Sequence, residues 1–67
     1  MSGFQYSWHN TREGALVWVW SFSRWRQARV IKCLRKRVDV KFLDDFAAPV
    51  TQYRYDQLRR HNPGATN

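Results

Sequence analysis

The chain has 67 residues, and its twelve Lys and Arg against five Asp and Glu give a formal net charge of +7. This length allows one small domain, and a hydrophobic fraction of 43% with four Trp, three Tyr and four Phe argues against wholesale disorder. A lone cysteine, Cys33, and two separated histidines exclude an internal disulfide and a zinc site within the chain, while no apolar run approaches the roughly 20 residues of a membrane span.

The first predicted segment, residues 1–13, is a flexible N-terminal arm. It mixes small and polar residues with scattered aromatic ones. Phe4, Tyr6 and Trp8 alternate with polar residues, so the arm either stays free, adds a strand or packs on the domain. A C-terminal tail is predicted for residues 62–67, and the folded domain for residues 14–61.

The domain itself is predicted to be all-β. Runs rich in Val and aromatic residues alternate with polar residues and are separated by turn signals at intervals of about ten residues. The predicted strands, four to five in number, cover residues 15–20, 25–34, 37–43, 50–53 and 59–61. One late helical turn is predicted near residues 55–58. Short strands with tight turns favour a small antiparallel barrel.

Basic residues concentrate where the second predicted strand meets the third. Arg35-Lys36-Arg37 is an entirely basic connection, the kind of patch that contacts phosphates. The segment Phe22-Ser23-Arg24-Trp25-Arg26 interleaves aromatic rings with Arg and suits stacking on unpaired bases. The predicted nucleic-acid-binding residues are Lys32, Arg35, Lys36, Arg37, Arg24 and Arg26. The alternative is a solvated, aggregation-resistant edge whose charge serves solubility alone.

Several short motifs follow one another along the chain. They are GALVWV at residues 14–19, WRQARV at 25–30, VKFLDD at 40–45, Val50, and DQL at 56–58. In this order they resemble the Tudor and PWWP domains of the Royal superfamily of SH3-like barrels. The resemblance spans about residues 14–61 and implies an SH3-like barrel, a nuclear location and, as partner, a methylated histone tail or another methylated protein.

The resemblance also implies an aromatic cage at one end of the barrel. Carried over position by position, its residues are Trp20 or Phe22, Trp25 and Phe42, with Asp44 or Asp45 alongside, and Phe46 and Tyr53 as further walls. Aromatic faces stabilise a methylated cation, and a carboxylate accepts the N–H that mono- and dimethyl-lysine retain. Arg26 stands where many Tudor members carry Tyr. The alternative for these rings is packing of a small core.

The sequence therefore predicts a binding module rather than an enzyme, because no Ser, Cys or carboxylate pair has the spacing of a nucleophile and its base. No cofactor, metal or membrane partner is expected, and the isolated domain is expected to be a monomer. The preferred hypothesis is recognition of methylated Lys or Arg, with DNA or RNA held by the basic face. The alternatives are direct binding of DNA or RNA without methyl recognition, and binding of an unmethylated protein partner.

Overall fold

A computed structural model describes residues 4–45 and 47–64, in which four antiparallel strands form one sheet of order β1-β2-β3-β4. The strands are β1 (Leu16–Ser21), β2 (Arg24–Cys33), β3 (Val38–Phe42) and β4 (Thr51–Tyr53). A short 3-10 helix, Tyr55–Gln57, follows β4. The prediction of a small all-β domain with antiparallel strands and almost no helix is confirmed. No helix in the described residues is long and apolar enough to cross a membrane.

The fifth predicted strand, residues 59–61, is reduced to a single bridge. Trp18 N donates to Arg59 O, and Arg59 N donates to Trp18 O, both at 2.8 Å. These two hydrogen bonds join the segment that follows the 3-10 helix to β1, which otherwise forms an edge of the sheet.

The core is built from alternate residues of the first three strands, because successive side chains of a strand point to opposite faces. Val17, Val19, Ala28, Val30, Val38 and Val40 are all at most 1% exposed. Phe42, Tyr55, Leu58 and Tyr6 complete the same cluster. An irregularity in the pairing of β2 with β3 lies between Val30 and Lys32, where β2 carries one extra residue.

Residues 4–13 pack against the sheet. Tyr6 is 9% exposed and belongs to the core cluster, and Thr11 is also buried. The Thr11 hydroxyl donates to Ser7 O at 2.7 Å, while the Cys33 thiol donates to Thr11 O at 3.4 Å. Of the three alternatives for the N-terminal arm, residues 4–13 therefore show the third, packing on the domain.

Candidate binding site

Arg26 occupies the space beside Phe42 that the resemblance assigns to a cation. It alternates with Ala28 and Val30 on the core face of β2, so its side chain is directed inward and is 8% exposed. Its Cζ lies 4.0 Å from the centroid of the Phe42 ring and 5.8 Å from that of Phe22. A charge of the protein itself therefore lies between two of the implied cage rings.

Asp44 holds this guanidinium in place. Arg26 Nη2 donates to Asp44 Oδ1 at 2.7 Å and Arg26 Nε donates to Oδ2 at 3.2 Å, which is the paired geometry that makes arginine–carboxylate bonds strong. Arg24 Nη2 donates to the same Oδ2 at 3.1 Å. The hydrogen bonds from Arg26 lower the pKa of Asp44, and the charges of Arg26 and Arg24 lower it further. A methylated cation would have to displace Arg26 to use this carboxylate.

Replacing Asp44 with Asn should lower the thermal midpoint at pH 7, because it leaves the buried Arg26 without its charged partner. The folded-state pKa of Asp44 is lowered, so the carboxylate stabilises the fold above its ordinary pKa. That stability is lost as the pH falls through the lowered value. Melting curves of wild type and Asp44→Asn should therefore differ at pH 7, begin to approach each other as the pH falls towards about 4, the ordinary pKa of Asp, and meet only below the lowered pKa of Asp44.

Asp45→Asn is the matched control, since Asp45 Oδ1 accepts a hydrogen bond from Ala47 N and makes no ion pair within the described residues. Equal midpoints for the two variants at pH 7 would show that the Arg26–Asp44 pair contributes nothing to stability. Phe46, also assigned to the cage from sequence, lies outside the described residues.

Two further implied cage rings, those of Trp20 and Trp25, lie together at a different place. Trp20 and Trp25 are direct partners across β1 and β2, and their ring centroids are 5.5 Å apart at an angle of 72°. They line a cavity of about 310 Å³ whose remaining walls are Tyr53, Arg54, Asp56, Gln57 and Arg59. We call this the tryptophan cavity. Phe42 instead borders a groove on the sheet with Arg29, Ile31, Lys41 and Leu43.

Two arginines and one carboxylate set the charge of the tryptophan cavity. Arg54 Nε donates to Asp56 Oδ1 at 3.1 Å, so the carboxylate already has a cationic partner. The Cζ of Arg59 lies 5.8 Å from the centroid of the Trp25 ring. The lining is therefore aromatic with a net positive charge.

The sequence shows that Arg54, Arg59 and Arg60 lie close together in the chain, but it does not show that Arg54 and Arg59 line a cavity. The bridge between Trp18 and Arg59 brings the chain after the 3-10 helix back to β1 and so sets Arg59 beside Trp25. A contact between residues so far apart in the chain leaves no signal in local alternation. The short basic run Arg59-Arg60 was the one available hint.

The predicted nucleic-acid-binding residues divide into two kinds. Lys32, Arg35, Lys36 and Arg37 are exposed around the β2–β3 connection. None of these four forms an ion pair within residues 4–45 and 47–64. Arg24 and Arg26 both bind Asp44, and Arg26 is buried, so it offers no accessible charge to a nucleic acid.

Exposed arginines also stack on exposed aromatic rings. The Cζ of Arg35 lies 5.4 Å from the Trp8 ring centroid, and that of Arg60 lies 4.6 Å from the Phe4 ring centroid. Trp8 is 42% exposed and Phe4 is 50% exposed. Such pairs present flat apolar faces and positive charge together at the surface.

Comparison with known protein families, curated proteins and solved structures finds no match to the chain. In the part of the chain that the structure describes, no three His, Cys, Asp or Glu side chains are placed to hold a metal ion. Burial raises the pKa of the Cys33 thiol, so the thiol stays protonated at neutral pH. The exposed aromatic and basic side chains are suited to stacking and to binding anions.

Proposed function

We propose that the chain is a non-enzymatic module that binds DNA or RNA directly. The observation that carries this proposal is the lining of the tryptophan cavity, where Trp20 and Trp25 meet Arg54 and Arg59. The base of a nucleotide can stack on the aromatic walls, and its phosphate can bind the guanidinium groups. A methylated ammonium matches the rings and the carboxylate of Asp56, but two arginines repel it and Arg54 already pairs with that carboxylate.

The distribution of charge supports the same function. The net charge of +7 is large for 67 residues, and a basic surface attracts the phosphate backbone whatever the sequence of bases. The exposed Arg35-Lys36-Arg37 connection supplies side chains that are free of ion pairs within the described residues. We call this connection the basic turn, and we propose that it binds phosphates.

An SH3-like barrel is part of the proposal. A barrel requires the edges of the sheet to be joined, and the two 2.8 Å hydrogen bonds between Trp18 and Arg59 supply one such link to β1. The 3-10 helix between β4 and this link agrees with the resemblance to Tudor and PWWP domains. Small barrels of this kind serve many unrelated functions, so the fold supports a binding module without naming its ligand.

Recognition of methylated Lys or Arg on a histone tail, in the nucleus, is the second candidate. One observation favours it: the tryptophan cavity contains a third aromatic residue, Tyr53, and the carboxylate of Asp56. A methylated side chain would enter there and not beside Phe42, where Arg26 lies. It would have to compete with Arg59 for the face of Trp25, and this competition places the hypothesis second.

Exchanging Arg54 and Arg59 for Gln should weaken binding to a labelled oligonucleotide, measured by fluorescence anisotropy. If each arginine contacts one phosphate, the slope of log affinity against log salt should fall by about 1.4 for a single strand. The double variant Arg12→Gln/Arg29→Gln removes the same charge elsewhere on the exposed surface and should change the slope less.

A titration with methylated and unmethylated tail peptides completes this experiment. Tighter binding of the methylated peptide by the Arg54→Gln/Arg59→Gln variant, with oligonucleotide binding unchanged, would reject direct nucleic-acid binding at this cavity. This result would support the methyl-reader hypothesis, because it would mean that the two arginines had occupied the site at which a methylated cation binds.

A further inference from the structure

The turn between β1 and β2 places an aromatic residue in an unfavourable conformation. Ser21 pairs with Arg24, so Phe22 and Ser23 alone make the turn, and both have positive φ values, 52° and 65°. This is the arrangement of a type I′ hairpin turn, which favours Asn followed by Gly because side chains rarely adopt that backbone conformation.

The exposure of the Phe22 ring to water is also unfavourable. It is 87% exposed, compared with 55% for Trp20. Its ring cannot take the space beside Phe42, because Arg26 occupies it. Its contact with Arg26 is long, at 5.8 Å from Cζ to the ring centroid, and Arg26 lies closer to Phe42, at 4.0 Å. Neither local conformation nor burial therefore explains a phenylalanine at this position, and residues held in strained backbone conformations cluster at functional sites.

We infer that Phe22 stacks on an unpaired base and that the module prefers single-stranded to double-stranded nucleic acid. This inference rests on the proposed function, and it adds the form of nucleic acid that is bound. A duplex hides the faces of its bases within the stack, whereas a single strand offers them to aromatic side chains.

The surroundings of Phe22 fit a strand that continues into the tryptophan cavity. Phe22 lies two residues beyond Trp20 in the chain, and two residues of backbone span at most about 7 Å. One extended nucleic-acid strand can bridge that distance with successive nucleotides. Arg24, which shares Asp44 with Arg26, lies on the other side of the turn, and its side chain is 66% exposed.

Charge at this end of the domain favours nucleic acid over a lipid surface. An exposed aromatic residue flanked by Arg also suits insertion into an anionic membrane. Asp45, which is exposed and forms no ion pair within the described residues, lies next to Asp44 beside the same turn. Its carboxylate can accept a hydrogen bond from the amino group of an unpaired base, whereas the anionic headgroups of a lipid surface offer it no such donor and would repel it.

The double substitution Phe22→Asn/Ser23→Gly tests the inference, because it supplies the residues that the turn prefers and removes the ring. We expect the thermal midpoint to rise. The affinity for a labelled single strand of about 12 nucleotides should fall by about 5-fold to 150-fold, the range for one base–aromatic stack. Affinity for the corresponding duplex should not change. Phe22→Trp, which keeps a ring on the same backbone, should retain single-strand binding.

The outcomes separate this inference from the proposed function. If wild type binds the single strand and the Asn-Gly double substitution binds it equally well, the inference is wrong and nucleic-acid binding stands. Failure of wild type to bind either form of nucleic acid would overturn both. Loss of binding to phosphatidylserine vesicles in the double variant, with unchanged oligonucleotide affinity, would assign Phe22 to a membrane surface and overturn the inference.

Discussion

Replacing Phe42 with Ala should lower the free energy of unfolding by about 3–5 kcal/mol, enough to unfold much of so small a domain. Phe42 is 5% exposed and closes the core at the end of β3, opposite Ala28. Its ring also supports the guanidinium of Arg26, at 4.0 Å from the ring centroid. The substitution therefore leaves a cavity and removes the aromatic face under a buried charge.

Urea denaturation followed by tryptophan fluorescence measures this effect. Phe22→Ala is the matched control, because the same side chain is removed from a position that is 87% exposed. Its free energy of unfolding should stay close to that of wild type. A Phe42→Ala variant that is as stable as wild type would mean that the Phe42 ring is not part of the core.

Because Phe42 belongs to the core, its substitution is not a clean test of the cage hypothesis. A loss of peptide binding in Phe42→Ala would follow from unfolding alone, so it cannot identify a cage at that ring. Trp20, which is 55% exposed, offers the cleaner substitution, since it lines the tryptophan cavity and lies outside the core cluster.

Local alternation accounts for most of what the sequence predicted correctly. In β3, Val38, Val40 and Phe42 are buried, and the intervening residues Asp39 and Lys41 are half-buried, as a two-residue period requires. The same period puts Arg26 on the face of Ala28 and Val30 and so directs it inward. Alternation does not predict which residue pairs with Arg26. Asp44 lies beyond the end of β3 and reaches Arg26 only because β3 pairs with β2.

Two further features depend on long-range contacts that no short pattern records. The irregular pairing between Val30 and Lys32 shifts the register along β2, whereas simple alternation predicts one uninterrupted strand. The Trp18–Arg59 bridge draws the end of the chain to β1 and creates the tryptophan cavity. Among the described residues, the cage rings inferred from the resemblance therefore fall into two groups, one around Arg26 and the other in that cavity.

The basic turn and Phe22 lie at opposite ends of β2, whose ten residues span roughly 30 Å. A strand that contacts both covers about nine nucleotides if its bases stay stacked at 3.4 Å each, and fewer if the strand is extended. If the basic turn binds phosphates, the triple variant Arg35→Ala/Lys36→Ala/Arg37→Ala should bind long oligonucleotides more weakly. The slope of log affinity against log salt should fall by about 2 for a single strand, since each lost contact contributes about 0.7.

Strand length turns this geometry into a test. The triple variant should have a lower affinity than wild type for a single strand of about 12 nucleotides. A strand of about 4 nucleotides is too short to reach from Phe22 to the basic turn, so the triple variant and wild type should bind it equally well. The control variant Arg12→Ala/Arg29→Ala/Arg60→Ala removes equal charge from other exposed positions. If the triple variant and this control lose affinity equally at both lengths, only net charge matters and the basic turn is not a phosphate site. A loss confined to the longer strand would assign phosphates to the basic turn and bases to the other end of β2.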